Sequence, residues 1–184
     1  MLSKFQQQKV TKIFKFYDVN ENGLIEYVDI DAICNTFAKE YNWDKETTEG
    51  FTTVYHQMWK DLVEAADKNN DKMVSHEELQ DAYIVTIADK AAYEKYILPF
   101  FQGVFPIISQ GKDHMTKEDY EKFYRSFRNP VEEADRVFEL MDINKDGVIS
   151  EEELSTMFYE FHMNQDEEHP SRHFFGVFEK ELVS

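Results

Sequence analysis

Residues 142–153 read DINKDGVISEEE, and few twelve-residue stretches restrict a chain so tightly. Asp142, Asn144 and Asp146 place side-chain oxygens at positions 1, 3 and 5. Gly147 at position 6 accepts the positive φ of a sharp turn. Val148 offers its carbonyl at position 7, Ser150 its hydroxyl at position 9, directly or through water, and Glu153 two oxygens at position 12. A hard cation such as Ca²⁺ takes about six to eight oxygens at about 2.3–2.6 Å, and this spacing wraps one. Asp, Asn and Gly also favour plain polar turns. A turn alone, however, explains neither Glu153 nor the helical runs on both sides. Ser150 and Glu153 form a capping box for the following helix, and Ile149 sits where a short β bridge would join a partner loop.

The pattern recurs. DKNNDKMVSHEE, residues 67–78, supplies Asp67, Asn69, Asp71, the carbonyl of Met73, Ser75 and Glu78. Its position 6 is Lys72 rather than glycine. A non-glycine residue in the left-handed region costs about 1–2 kcal/mol, which weakens binding by about tenfold if the loop bears it on closing around an ion. A working site is expected; a relict loop held by packing is the alternative. DVNENGLIEYVD, residues 18–29, supplies Asp18, Asn20, Asn22, the carbonyl of Leu24 and Glu26, with Gly23 at position 6. It ends in Asp29, one methylene shorter than Glu, which favours six-coordination. Mg²⁺ demands octahedral geometry at about 2.0–2.1 Å, so Mg²⁺ binding is expected here in particular.

A fourth outline, ISQGKDHMTKED at 108–119, keeps Thr116 and Asp119 as a helix cap but has Ile108 at position 1 and Lys112 at position 5. A lysine there repels a cation by several kcal/mol at moderate dielectric. Starting the frame at Asp113 puts Met115 and Lys117 at positions 3 and 5, which is no better. The loop is expected to be metal-free and to persist as a structural partner, with Met115 bridging to Ile149 as Ile25 bridges to Val74.

The four outlines start 49, 41 and 34 residues apart. Helical periodicity dominates between them. It predicts helices near 3–17, 27–40, 48–66, 76–90, 92–106, 117–127, 131–141 and 151–163, and a short one near 173–180. KEYNWDKETTEG is expected as a polar connection ahead of the third helix. No Gly-, Pro- or Ser-rich linker separates the halves. The expectation is an all-α fold of four helix–loop–helix units in two tightly packed pairs. Residues 1–90 would form one pair, with loops 18–29 and 67–78. Residues 91–184 would form the other, with degenerate loop 108–119, intact loop 142–153 and a tail.

The formal charge is −17, from 37 acidic against 20 basic side chains. Such a surface repels nucleic-acid phosphates and anionic lipid and attracts cations. The 16 Phe and 10 Tyr argue against an acidic disordered chain. The single cysteine, Cys34, precludes an intrachain disulfide and is expected in the core. No secretory signal or bilayer-length apolar run is visible, and Leu2 stands where the myristoylation signal needs glycine. A cytoplasmic monomer without membrane anchor is therefore expected. His114, His162 and His173 are expected at the surface or as caps. Ser75-His76 are neighbours at a helix start and do not face each other, so they form no catalytic pair. No enzyme activity is expected.

These loops are identified as members of the EF-hand superfamily. Within it the chain resembles the invertebrate sarcoplasmic calcium-binding proteins and calexcitins. The likeness rests on the opening SKFQQQKVTKIFKFYDVN, on Asp29 closing the first loop, on a long first interval before a second loop without glycine at position 6, and on the tail SRHFFGVFEK. The resemblance implies a compact two-lobed buffer of Ca²⁺ and Mg²⁺. A sensor that docks a partner helix is the alternative, disfavoured because the seven Met are scattered. Phe174, Phe175, Val177 and Phe178 could plug the surface such a helix would use, or simply complete a core. A coelenterazine-binding luminescence-type protein is a third reading, weakened by the absence of a C-terminal proline.

Overall fold

The computed structural model describes residues 2–178. Among them lie nine α-helices and two antiparallel strand pairs. The chain forms two compact units, Met1–Gly111 and Lys112–Ser184. The sequence expectation placed the division at 90/91 instead.

The first unit holds α1 (Lys4–Tyr17), β1 (Leu24–Ile25), α2 (Tyr27–Tyr41), α3 (Lys45–Ala66), β2 (Val74–Ser75), α4 (His76–Ala88), α5 (Lys90–Tyr96) and α6 (Leu98–Ile108). α1 begins in a capping box between Ser3 and Gln6, and its apolar face buries Phe5, Val10, Ile13, Phe14 and Tyr17. Phe37, Phe51 and Tyr55, all essentially inaccessible, carry the aromatic core between α2 and α3, with Phe51 4.9 Å from Phe37 and 4.6 Å from Tyr55. β1 pairs with β2 so that Ile25 faces Val74, as the sequence spacing required. Cys34 is buried, as expected.

Two helix expectations in this unit are corrected. KEYNWDKETTEG is mostly helical: α2 runs on to Tyr41 and α3 starts at Lys45. Asn42 turns the chain at φ 52° and the Asp44 carboxylate caps the Thr47 amide at 2.8 Å, so residues 42–44 suffice for the connection. The helix expected over 92–106 is two helices, because Pro99 has no N–H to continue α5 and its ring crowds the preceding turn. Both stay with the first unit. Phe100 meets the Tyr55 ring edge-on at 4.9 Å, and Gly103 lies so close to α3 that an added Cβ would stand 2.9 Å from Val54 Cγ1. This packing places α5 and α6 ahead of the division at Gly111.

The second unit holds β3 (His114–Met115), α7 (Lys117–Ser126), α8 (Ala134–Met141), β4 (Ile149–Ser150) and α9 (Glu151–Met163). Val131–Glu133, expected as the start of α8, is a 3₁₀ turn, as is Pro170–His173. β3 pairs with β4, Met115 facing Ile149. The expected helix at 173–180 is absent over 173–178, where Gly176 sits at φ 105°; the rest of that expectation lies outside the described residues. An added Cβ on Gly176 would come 2.1 Å from Asn129 Oδ1, so the tail crosses the α7–α8 connection where only glycine fits. Phe174 and Phe175 are buried against α7 and α9. Phe174 lies 5.1 Å from Phe158 and 6.3 Å from Phe123; Phe175 lies 5.0 Å from Phe161 and 5.6 Å from Phe127. Among the described residues no helix is long and apolar enough to cross a membrane.

Candidate metal centre

Each of the three complete loops folds onto one hydrogen-bond frame. In loop 142–153, Asp142 accepts the Asp146 amide at 3.2 Å and the Gly147 amide at 3.0 Å. Asn144 Oδ1 accepts the Asp146 amide at 2.8 Å, and Asp146 Oδ1 accepts the Val148 amide at 3.0 Å. Glu153 reaches back across the loop. Its Oε1 accepts the Ile143 and Asn144 amides, both at 3.0 Å, and its Oε2 accepts the Ser150 amide and hydroxyl, both at 2.9 Å. Burial works to raise the Glu153 pKa, and these donors outweigh it and hold the carboxyl below the ordinary glutamate value.

Loop 67–78 repeats this. Asp67 accepts the Asn70 amide at 2.7 Å and the Lys72 amide at 2.9 Å; Asn69 accepts from Asp71 and Asp71 from Met73, both at 2.8 Å. Glu78 accepts the Lys68 amide at 3.1 Å and the Ser75 amide and hydroxyl at 2.9 and 2.8 Å. Ser75, through amide and hydroxyl, leads the donors that hold Glu78 below its usual range. Lys72 occupies φ 64° where Gly23 and Gly147 sit at φ 87° and 88°, as the sequence required of position 6.

Loop 18–29 keeps the frame with a shorter terminal carboxylate. Asp18 accepts the Asn22 and Gly23 amides at 3.1 and 3.0 Å. Asn20 Oδ1 accepts from Asn22 at 3.0 Å and Asn22 Oδ1 from Leu24 at 2.9 Å. Asp29 Oδ1 accepts the Val19 and Asn20 amides at 3.1 and 3.2 Å, and Oδ2 accepts the Glu26 amide at 2.9 Å. The Asn22 side-chain amide donates to Glu26 Oε2 at 2.7 Å, bringing positions 5 and 9 together.

Among the described residues no three His, Cys, Asp or Glu side chains group as a metal site by themselves. The donor chemistry is mixed, and that is how it fits a hard cation: carboxylates at positions 1 and 12 hold the frame, while Asn, Ser and the carbonyls of Leu24, Met73 and Val148 complete an all-oxygen set. In each loop the twelfth carboxylate joins the two ends of the frame.

The outline at 108–119 has a different backbone. Positive φ falls at Gln110 (56°) and Gly111 (77°), positions 3 and 4, instead of positions 4 and 6. Asp119 accepts the Thr116 amide and hydroxyl at 3.2 and 2.8 Å, and the Lys112 ammonium at 3.1 Å. Burial works to raise the Asp119 pKa; the bonds from Thr116 and Lys112 outweigh it and hold the carboxyl low. The lysine that sequence reasoning counted only as repulsive is thus paired. The spacing of Lys112 to Asp119 was the available signal.

Two further features escaped the sequence. His162 and His173 are buried, at 4% and 8% exposure, rather than lying at the surface. His162 packs edge-on to Phe158 at 4.9 Å, and His173 Nδ1 accepts the Phe178 amide at 3.0 Å. On the first unit Tyr27 Oη lies 3.0 Å from His56 Nδ1, and His56 Nε2 2.7 Å from Asp31, which ties α2 to α3.

Comparison with known proteins agrees with this geometry. The EF hand domain family matches residues 133–161, which span α8, the 142–153 loop and most of α9. Sarcoplasmic calcium-binding proteins I, III and IV of Branchiostoma lanceolatum are 26% identical over 151 residues, covering 76% of this chain and 80% of theirs. Residues 133–161 thus match an EF hand, and over most of its length the chain is similar to the sarcoplasmic calcium-binding proteins. The solved structure of an amphioxus sarcoplasmic calcium-binding protein shares the fold at TM-score 0.77 and 18% identity, over 97% of this chain and 100% of that one. A coelenterazine-binding protein of Renilla muelleri, in its calcium-loaded apo form, also shares the fold at TM-score 0.76 and 17% identity, over 96% and 100%.

Proposed function

We propose that this protein is a cytoplasmic buffer of Ca²⁺ and Mg²⁺, with working loops at 18–29, 67–78 and 142–153 and a metal-free loop at 108–119. The observation that carries this is the common frame of the three loops, in which the first and twelfth carboxylates hold the loop amides. Asp142, Asn144, Asp146, the Val148 carbonyl, Ser150 and Glu153 would hold one ion. The matching sets would be Asp67, Asn69, Asp71, Met73, Ser75 and Glu78, and Asp18, Asn20, Asn22, Leu24, Glu26 and Asp29. A bound divalent cation supplies charge neutralisation. The chain supplies ordered oxygens, excludes part of the solvent with buried Asp18, Asp142 and Glu153, and holds the Glu153 carboxyl below its ordinary value through the loop amides and Ser150. Asp29 is one methylene shorter than Glu and favours six-coordination, which supports Mg²⁺ binding there.

Burial of Phe174 and Phe175 against α7 and α9 favours a buffer over a sensor, because the tail fills apolar surface of the second unit that a partner helix would need. The proposed state is a monomer, with any protein target unidentified. Calorimetric titration with Ca²⁺, with and without Mg²⁺, tests the reading. Three sites, one of them strongly Mg²⁺-sensitive, are expected, with no calcium-induced rise in the fluorescence of a dye for exposed apolar surface. Fewer than three sites, or a large fluorescence rise, would overturn it.

A further inference from the structure

In the three complete loops the twelfth carboxylate accepts amides that follow the entering helix: Val19 and Asn20 onto Asp29, Lys68 onto Glu78, Ile143 and Asn144 onto Glu153. In 108–119 those amides turn back into α6 instead, Ser109 to Phe105, Gln110 to Ile107 and Gly111 to Pro106. Asp119, with a side chain only 5% exposed, receives the Lys112 ammonium in their place. A carboxylate this buried needs a counter-charge to stay ionised. The same few residues form the partner edge of the working loop. His114 faces Ser150, Met115 faces Ile149, and the Glu151 amide donates to the Asp113 carbonyl at 3.2 Å.

We propose that Lys112 is a resident cation for the third loop and, by holding Asp119 and β3 in place, sets the calcium affinity of loop 142–153. The inference rests on reading 142–153 as a calcium site. Lys112 is a positioning residue that acts through Asp119, the Thr116 cap and the β3–β4 bridge. With the bridge already formed, less of loop 142–153 must be ordered when an ion enters. Removing the ammonium leaves Asp119 buried without its counter-charge. The carboxyl then takes up a proton or swings outward, and either outcome loosens the Thr116 cap and β3.

The test is calcium calorimetry on the full chain with Lys112→Met, Lys112→Arg, Glu153→Gln and the double variant Lys112→Met/Glu153→Gln. Lys112→Met should weaken one site about three- to tenfold, the range expected for a half-buried charge pair. Lys112→Arg should stay within about twofold of wild type, since it keeps the charge. Glu153→Gln should remove or strongly weaken one site, and adding Lys112→Met to it should change nothing more. In calcium-free protein the Glu151 amide should exchange faster with deuterium in Lys112→Met than in Lys112→Arg. A Lys112→Met isotherm matching wild type, equal weakening by both Lys112 variants, or an effect that survives in the Glu153→Gln background would overturn the proposal. If Glu153→Gln alone leaves the isotherm unchanged, loop 142–153 is no site and both readings fall. If it removes a site while Lys112→Met does nothing, only the role of Lys112 falls.

Discussion

Lys72→Gly should tighten the second loop. Lys72 is held at φ 64° by the position-6 turn, with its amide donating to Asp67 at 2.9 Å and its side chain exposed. The corresponding Gly23 and Gly147 have no atom within 4 Å of an added Cβ, so the demand for glycine is conformational rather than one of space. The left-handed conformation costs a non-glycine residue about 1–2 kcal/mol, and glycine's larger unfolded freedom takes back about 0.5–1 kcal/mol. The net gain is about 0.5–1 kcal/mol. Without a cation, Asp67, Asp71 and Glu78 repel one another and favour a looser loop, so the gain falls mainly on the closed state. It corresponds to about two- to fivefold tighter calcium binding at one site. Lys72→Gln is the control, because it removes the positive charge and keeps the strain. Calorimetry of wild type and both variants separates the two effects: glycine should exceed glutamine by about twofold or more. Equal affinities for the two variants would refute the reasoning from φ.

Three further outcomes are expected. Calcium at millimolar concentration should raise the melting temperature strongly, since three divalent cations add six positive charges to a chain of formal charge −17 and bind only the folded loops; a scan without a rise contradicts three structured sites. Phe174→Ala should destabilise the second unit by about 3 kcal/mol in urea unfolding and raise dye fluorescence, because Phe174 is 3% exposed among Phe123, Phe158 and Phe161; unchanged fluorescence would mean the tail covers nothing. The stability contributed by the Lys112–Asp119 pair should be present above the ordinary aspartate range of about 4 and lost as pH falls through the lowered folded value. Unfolding of wild type and Lys112→Met should therefore differ at pH 6 and converge in acid; a difference that persists in acid contradicts this sign.

The loops were legible because their demands are local. Position-specific oxygens, glycine at 23 and 147, and caps such as Ser150–Glu153 all act within twelve residues. The register of the β bridges followed from the same spacing. What the sequence hid depends on distant packing. The break at Ile97 needs Pro99 to be weighed against a strong apolar period, and the allegiance of α6 depends on Gly103 meeting Val54 nearly fifty residues away. Burial of His162 and His173 depends on how α9 and the tail meet, which helical periodicity does not report. The Lys112–Asp119 pair depends on the loop backbone turning back into α6, which the residue types at positions 5 and 12 do not report by themselves.

Anomalous X-ray scattering from crystals grown in calcium tests the central claim most directly. Peaks are expected within the loops that begin at Asp18, Asp67 and Asp142, with none beside Asp119. A peak in place of the Lys112 ammonium, or a missing peak at any of the three complete loops, would contradict the account.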